Sequence, residues 1–374
     1  VSTLVKFWIT ILLLLALAVP AFGPPAALGP DGSQQPLFAF QVSYVQKMTP
    51  PWVSAEGAVL MDVATGRLLY ARNPHERYAP ASLTKIVTAL VAMDHAKLTD
   101  KVKVELSWTD LPPDSSVMGL SSGEEFTIEG LLYGLMLVSG NDAAVVIAKK
   151  IGGNEAHFVE MMNEKVRDIG LRDTHFDNPH GLDSATHFSS AYDMAVLGRT
   201  LLGNPDLARI VSTKQERVIG TGGIGIYPMR NINRIVQSYP GGDGIKTGYT
   251  DLAKQTVVAS ANTLGSRAIA VVMRSDGYAA DAVSLLDYAF DAFTGVKLEL
   301  TPFPAGFQDP DSDRLRIKGP LLAEKMLVPR WEKPYLITQV WLAPRTSGGT
   351  GRSSGFVSFY LDDIIITQRP LYEP

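Results

Sequence analysis

Leu83, Ile86, Val87, Leu90 and Met93 are spaced i, i+3, i+4, i+7 and i+10, the period of a helix with one buried face, which predicts a helix directly after Pro80. Upstream, Ala58–Met61 and Leu68–Ala71 are short apolar runs separated by Ala64-Thr65-Gly66, a pattern that predicts a β-hairpin. A second helical stretch covers Ile128 to Ile151 and is interrupted at Ser139-Gly140-Asn141. From Gly244 the period changes. Gly244–Thr250, Thr256–Ala261 and Arg267–Met273 read as three successive strands, the last two almost wholly apolar, as expected where both faces of a sheet are covered. Ala279–Phe293 reads as a closing helix. Beyond Lys297, short strands alternate with Pro and Gly turns up to Gly355–Leu361 and predict a separate small β domain.

Composition narrows the classes. Of 374 residues, 46% are hydrophobic and 19% charged, which is globular rather than disordered. A formal charge of -4 offers no basic field for nucleic acid. Without cysteine there is no disulfide, thiol nucleophile or cysteine metal ligand. Lys6 ahead of the apolar run Phe7–Val19, followed by small residues and prolines, predicts an export signal or a retained N-terminal anchor over 1–30. The Pro-, Gly- and Gln-rich stretch 31–52 reads as a linker. The expected organisation is completed by a catalytic domain over 53–295 and the β domain over 296–374.

Three short motifs carry the chemistry. Ser82-Leu83-Thr84-Lys85 is followed by Ser139-Gly140-Asn141 and then by Lys246-Thr247-Gly248. A lone Ser-x-x-Lys arises by chance about once in a chain this long, and the commoner reading of it is a surface helix cap beside a solvated lysine. All three in this order are not easily coincidence. Ser82 in a first helical turn meets unpaired N–H groups that favour developing negative charge. Lys85, three residues on, shares its face and, if neutral, can take the serine proton. Ser139 and Asn141 either relay protons and hold Lys85 or the substrate backbone, or merely form a helix–helix turn. Lys246 and Thr247, on a strand, can bind a carboxylate, and Gly248 leaves room beside them, although a lysine-protected edge strand fits the same residues. His175, Asp177, His180, Asp183 and His187 form a rival cluster, but their spacing matches no zinc signature, and loop residues shaping a cleft are the preferred reading.

On these motifs the chain is similar to the serine-type D-Ala-D-Ala carboxypeptidases, the low-molecular-mass penicillin-binding proteins. The resemblance extends over about 53–374: Ala58–Asn73 matches the opening hairpin, Asn178-Pro179-His180-Gly181-Leu182-Asp183 a typical segment, and Leu342-Ala343-Pro344, Gly355 and Pro370-Leu371 the C-terminal β domain. It implies an α+β fold: a serine β-lactamase/transpeptidase-like domain with a mainly antiparallel sheet flanked by helices, plus a helical subdomain, followed by a small all-β domain. It further implies that Ser82 is acylated, that Lys85 is its base, and that Ser139 and Asn141 complete the proton network. Lys246 and Thr247 would bind the terminal carboxylate, and the backbone N–H groups of Ser82 and Tyr249 would form an oxyanion hole. The implied substrates are peptidoglycan stem peptides ending in D-Ala-D-Ala, with β-lactams as inhibitors and neither metal nor cofactor. Endopeptidase action on cross-links and a non-catalytic wall- or penicillin-binding role are the alternatives. Membrane association, where present, is expected through the N-terminal segment. The chain departs from the family pattern at Asp251-Leu252-Ala253-Lys254-Gln255, where a Gly–aromatic pair is usual, and at Tyr278, near which relatives carry a carboxylate-binding arginine. Arg274 is the substitute the sequence offers.

Overall fold

A computed structural model describes residues 48–107, 111–113, 115–223, 225–297, 316–317, 325–330, 332–333, 336–342, 354–361 and 364–372. The expected leader over 1–30 and most of the linker lie outside these residues, and 48–52 are irregular.

The sequence builds one five-stranded sheet from its two ends. β1 (Gly57–Asp62) and β2 (Leu68–Arg72) form the expected hairpin. β3 (Lys101–Lys103) pairs with β4 (Glu125–Thr127), and β5 (Gln215–Ile219) with β6 (Ile226–Arg230), as two outlying ribbons. β7 (Gly242–Thr250), β8 (Lys254–Thr263) and β9 (Ser266–Ser275) then complete the main sheet in the order β2-β1-β9-β8-β7, with every neighbour antiparallel. The apolar runs are sorted by the strand period of two. Val59, Met61, Val258, Ile269 and Val271 enter one core, and Ala58, Leu60, Val257, Ala268 and Ala270 the other. Burial on both faces is why these strands do not alternate with polar residues.

The first face is covered by α1 (Lys85–His95), α2 (Ile128–Leu137), α3 (Asn141–Gly152), α4 (Glu155–Ile169), α5 (Ala191–Leu202) and α6 (Pro205–Ser212). Local chemistry sets their ends. Thr127 caps α2 by accepting from the Gly130 N–H, Asn154 caps α4 by accepting from His157, and α4 stops at Gly170 with φ +87°. After the short α7 (Arg234–Ser238), the second face is closed by α8 (Tyr278–Ala292), whose Leu285, Leu286 and Ala289 pack against Ala259 and its neighbours.

The helix expected after Pro80 arrives in two pieces. Ala81–Thr84 is a tight 3-10 turn, and the α-helix proper starts at Lys85. The interruption at Ser139-Gly140-Asn141 separates α2 from α3, so Asn141 becomes the first residue of a helix. β10 (Phe293–Val296) takes the residue expected to end α8 and pairs with β12 (Met326–Pro329), so the expected 295/296 boundary falls inside a strand. The remaining strands, β11 (Arg316–Ile317), β13 (Leu336–Leu342), β14 (Ser354–Leu361) and β15 (Ile364–Tyr372), form a second antiparallel sheet in the order β11-β15-β14-β13. The α+β class expected from the sequence is the class observed.

Candidate active site

The three motifs meet where the 3-10 turn, the start of α3 and the edge strand β7 converge on a cleft of about 690 Å³. Ser82, Ser139, Asn141, Thr247, Gly248 and Tyr249 all line it. Lys85 lies beneath them, fully buried. Its Nζ is 2.8 Å from Ser82 Oγ, 2.7 Å from Asn141 Oδ1 and 2.7 Å from the His180 carbonyl oxygen. Two of those three partners can only accept. A neutral lysine amine has two protons and one lone pair, so serving Asn141 and His180 leaves the lone pair for the Ser82 hydroxyl proton. The geometry accommodates the neutral amine.

Electrostatics agrees. Burial, reinforced by the charge of Lys246, holds Lys85 well below the ordinary lysine range, against the opposing pull of Asp142. Lys246 is also buried, which brings it down to about 7, and its Nζ donates to the Thr247 carbonyl at 2.9 Å. On β7 it faces Val258, which belongs to the helical core, while Thr247 projects to the opposite face and lines the cleft. Lys246 therefore stands behind the cleft rather than among the residues that line it.

Gly248 has a tighter role than making space for an acyl group. A Cβ there would sit 3.0 Å from Ser82 N and 3.2 Å from the Pro80 carbonyl oxygen. The edge strand passes so close to the serine's turn that a side chain here would force the turn or the strand to shift by a few tenths of an ångström. The Ser82 N–H is thereby brought next to the backbone leading into Tyr249, the two groups expected to bind an oxyanion.

Several supporting residues were not legible in the sequence. Thr84 Oγ1 donates to the Ala81 carbonyl and lies 2.8 Å from His187 Nε2. His187 Nδ1 accepts from the Asp177 N–H, so the imidazole proton is on Nε2 and is given to Thr84. Burial pushes His187 down to about 4 and keeps it neutral, and it pushes His180 to about 3. Gly181, with φ +95°, has no space for a Cβ against the Ala81 carbonyl. Asp142 follows the Ser-Gly-Asn motif and accepts from the N–H groups of Met118, Gly119 and Leu120, pinning the segment beside Ser116, another cleft residue. Its position in the first turn of a helix was the one sequence signal available.

In the rival histidine–aspartate cluster His175 Nδ1 lies 3.3 Å from Asp177, but the side chains mostly serve partners outside the cluster. His187 serves Thr84, Asp177 accepts from Thr186, Asp183 accepts from Thr250 at 2.8 Å, and His175 faces the Thr186 carbonyl. Arg274, the expected substitute for a carboxylate-binding arginine, is committed elsewhere. It pairs with Glu56 at 3.1 Å and donates to the Leu252 carbonyl, outside the cleft lining. Tyr278 and Gln255 border the cleft instead.

The sequence pattern of the D-alanyl-D-alanine carboxypeptidases matches residues 44–277. A D-alanyl-D-alanine carboxypeptidase of Bacillus subtilis is 37% identical over 287 residues, covering 75% of this chain and 70% of its own length. One from Haemophilus influenzae is 34% identical over 351 residues, covering 87% of this chain and 86% of its own. The crystal structure of penicillin-binding protein 6B from Escherichia coli superposes with a TM-score of 0.67 at 32% identity, over 87% of this chain and 96% of that one.

Proposed function

This chain belongs to the D-alanyl-D-alanine carboxypeptidase family, and from that premise we propose that it removes the terminal D-alanine of peptidoglycan stem peptides through an acyl-enzyme on Ser82. The observation that carries the reading is the 2.8 Å contact between Ser82 Oγ and a buried lysine amine whose other two partners are acceptors. Ser82 Oγ attacks the penultimate D-alanine carbonyl carbon, and its proton passes to Lys85 Nζ. The resulting oxyanion is met by the Ser82 and Tyr249 N–H groups, donors of a kind worth a few kcal/mol each, roughly, in such sites. The C–N bond then breaks: the Ser139 hydroxyl hands its proton to the departing amine and takes up the proton held by Lys85, so both groups return to their starting states as free D-alanine leaves. Water attacks the ester carbonyl with Lys85 again as base, releasing the shortened peptide and restoring Ser82. Asn141 keeps Lys85 aimed at the serine throughout. No step needs a metal or cofactor.

The substrate lies outside the cytoplasmic membrane, a location supported by Lys6 and the apolar run Phe7–Val19 at the start of the chain. The test is incubation with a D-Ala-D-Ala-terminated muropeptide, assaying free D-alanine, alongside labelling by a fluorescent β-lactam. The native chain should release D-alanine and be labelled, and Ser82→Ala should do neither. A labelled Ser82→Ala chain would remove Ser82 from this role.

A further inference from the structure

The proposed reaction requires donors for the substrate's terminal carboxylate, and both cations expected to supply them are held away from the cleft lining. Lys246 is buried and bonded to the Thr247 carbonyl, and Arg274 is tied to Glu56 and Leu252. On β8, Gln255 sits directly opposite Tyr249 in the ladder, and Tyr249 is two residues from Thr247 on the same strand. Residues opposite one another, and residues two apart, share a face, so Thr247, Tyr249 and Gln255 project together, and all three line the cleft with Ser82. The Gln255 amide has a fixed orientation. Its Oε1 accepts from the Tyr278 N–H at 3.3 Å, and the flipped amide would set donor against donor. Nε2 then keeps both of its protons, with no acceptor among the described residues. The two carboxylates on the same rim are occupied: Asp183 accepts from Thr250, and Asp251 from the Tyr249 hydroxyl.

We infer that Gln255, with the Thr247 hydroxyl, binds the terminal carboxylate of the peptide substrate, so that recognition at this end rests on directed neutral donors rather than on a fixed surface cation. The inference rests on the Ser82 acyl-transfer reading. Gln255 closes the segment Asp251–Gln255, where the chain departs from the family's Gly–aromatic pair, and a carboxamide supplies donors that an aromatic side chain cannot.

The test compares a D-Ala-D-Ala peptide with the same peptide amidated at its C-terminus, using the full chain. Gln255→Ala should raise KM for the free acid about tenfold with kcat nearly kept, the loss typical of a hydrogen bond to a charged group. Gln255→Glu sets carboxylate against carboxylate and should lose about a hundredfold or more in kcat/KM on the free acid while leaving the amidated peptide unaffected. Thermal unfolding of each variant checks that the fold is kept. Unchanged KM for the free acid in Gln255→Glu, or equal losses on acid and amide, would overturn the assignment. If the native chain releases no D-alanine, the acyl-transfer reading fails first. Calorimetric binding of the two peptides to Ser82→Ala still tests Gln255, because the acid should bind better than the amide and Gln255→Glu should reverse that order. Equal affinities of acid and amide for Ser82→Ala would sink the inference.

Discussion

The proposed reaction turns on two buried lysines with opposite tasks. Lys85 must be neutral to accept a proton from Ser82, whereas a positive Lys246 is useful because it depresses Lys85 and adds field behind an anionic substrate. For the free enzyme, kcat/KM reports both groups. Activity should rise on the acid side as Lys85 loses its proton and fall again at and above about pH 7 as Lys246 does. The two limbs belong to the coupled pair rather than to either residue alone. Lys246→Met provides the check. It should flatten the alkaline limb and also move the acid limb upward, because a charge that held Lys85 down is gone. An acid limb that stays in place would show that the two amines are not coupled. At this scale the sequence was legible where the chemistry is local. Ser82 and Lys85 are one turn apart, and each motif announces its own residues. The Lys85–Asn141 bond, 56 residues apart, was reached only through the order of the motifs, and the Thr84–His187 bond, 103 residues apart, belongs to no motif. Arg274 was misread for a related reason: nearness along the chain says nothing about the Glu56 carboxylate that captures its side chain.

Among the elements, the 3-10 turn at Ala81–Thr84 is where rigidity is concentrated. Ala81 is held at φ +48°, a strained value for a residue with a Cβ, by Thr84 within the turn, with Gly181 and Gly248 closing on it from two sides. His187 stabilises this turn only while it is neutral. Its folded pKa, about 4, lies below the ordinary histidine value of 6.5, so its contribution is complete above about pH 6.5 and is lost as pH falls toward 4. His180, pushed to about 3, acts in the same sense. Asp62 acts oppositely: burial raises it to about 6, so its share of stability is present below the ordinary carboxylate range and lost as pH rises through 6. His187→Gln keeps a side-chain N–H for Thr84 Oγ1 but removes the titration. The unfolding temperature of that variant should fall less steeply between pH 6.5 and 4 than that of the native chain. Equal slopes in a pH series of melting curves would show that His187 does not drive the acid loss. Nothing along the chain warned of the turn itself. The helical period of Leu83, Ile86 and Val87 runs through it unbroken, and only the packing of β7 against Ser82 tightens the first residues into a 3-10 geometry.

For the whole molecule, the question is whether the site depends on the C-terminal strands. The catalytic residues hang on a sheet sealed on both faces by its own helices, and the period-two burial that seals it was visible in the sequence of β8 and β9. The C-terminal part has a core of its own, in which Met326, Val328, Val357, Phe359, Leu361 and Leu371 meet Ala64 of the catalytic part. Further ties cross over: Arg67 donates to the Leu327 carbonyl, Lys325 to the Leu264 carbonyl, Arg369 to the Ala64 carbonyl, and Arg330 to the Phe290 and Asp291 carbonyls. These contacts lie at the β1–β2 turn, the β8–β9 turn and the end of α8, while the cleft opens at the β7 edge, and none of the seven core residues lines it. The junction could not be read beforehand because it rests on backbone carbonyls, which carry no sequence signature. Phe359 is 2% exposed, and replacing it with alanine should cost about 3 kcal/mol through lost burial and the cavity left behind. A core this small should lose its own transition first in calorimetry, at lower temperature than the catalytic sheet. Well below that temperature, kcat/KM on a D-Ala-D-Ala peptide should stay within about twofold of the native value, since additivity holds for sites sharing no contacts. A fall in activity that tracks the loss of stability would mean that the C-terminal strands brace the sheet beneath Ser82, and that the two cores behave as one.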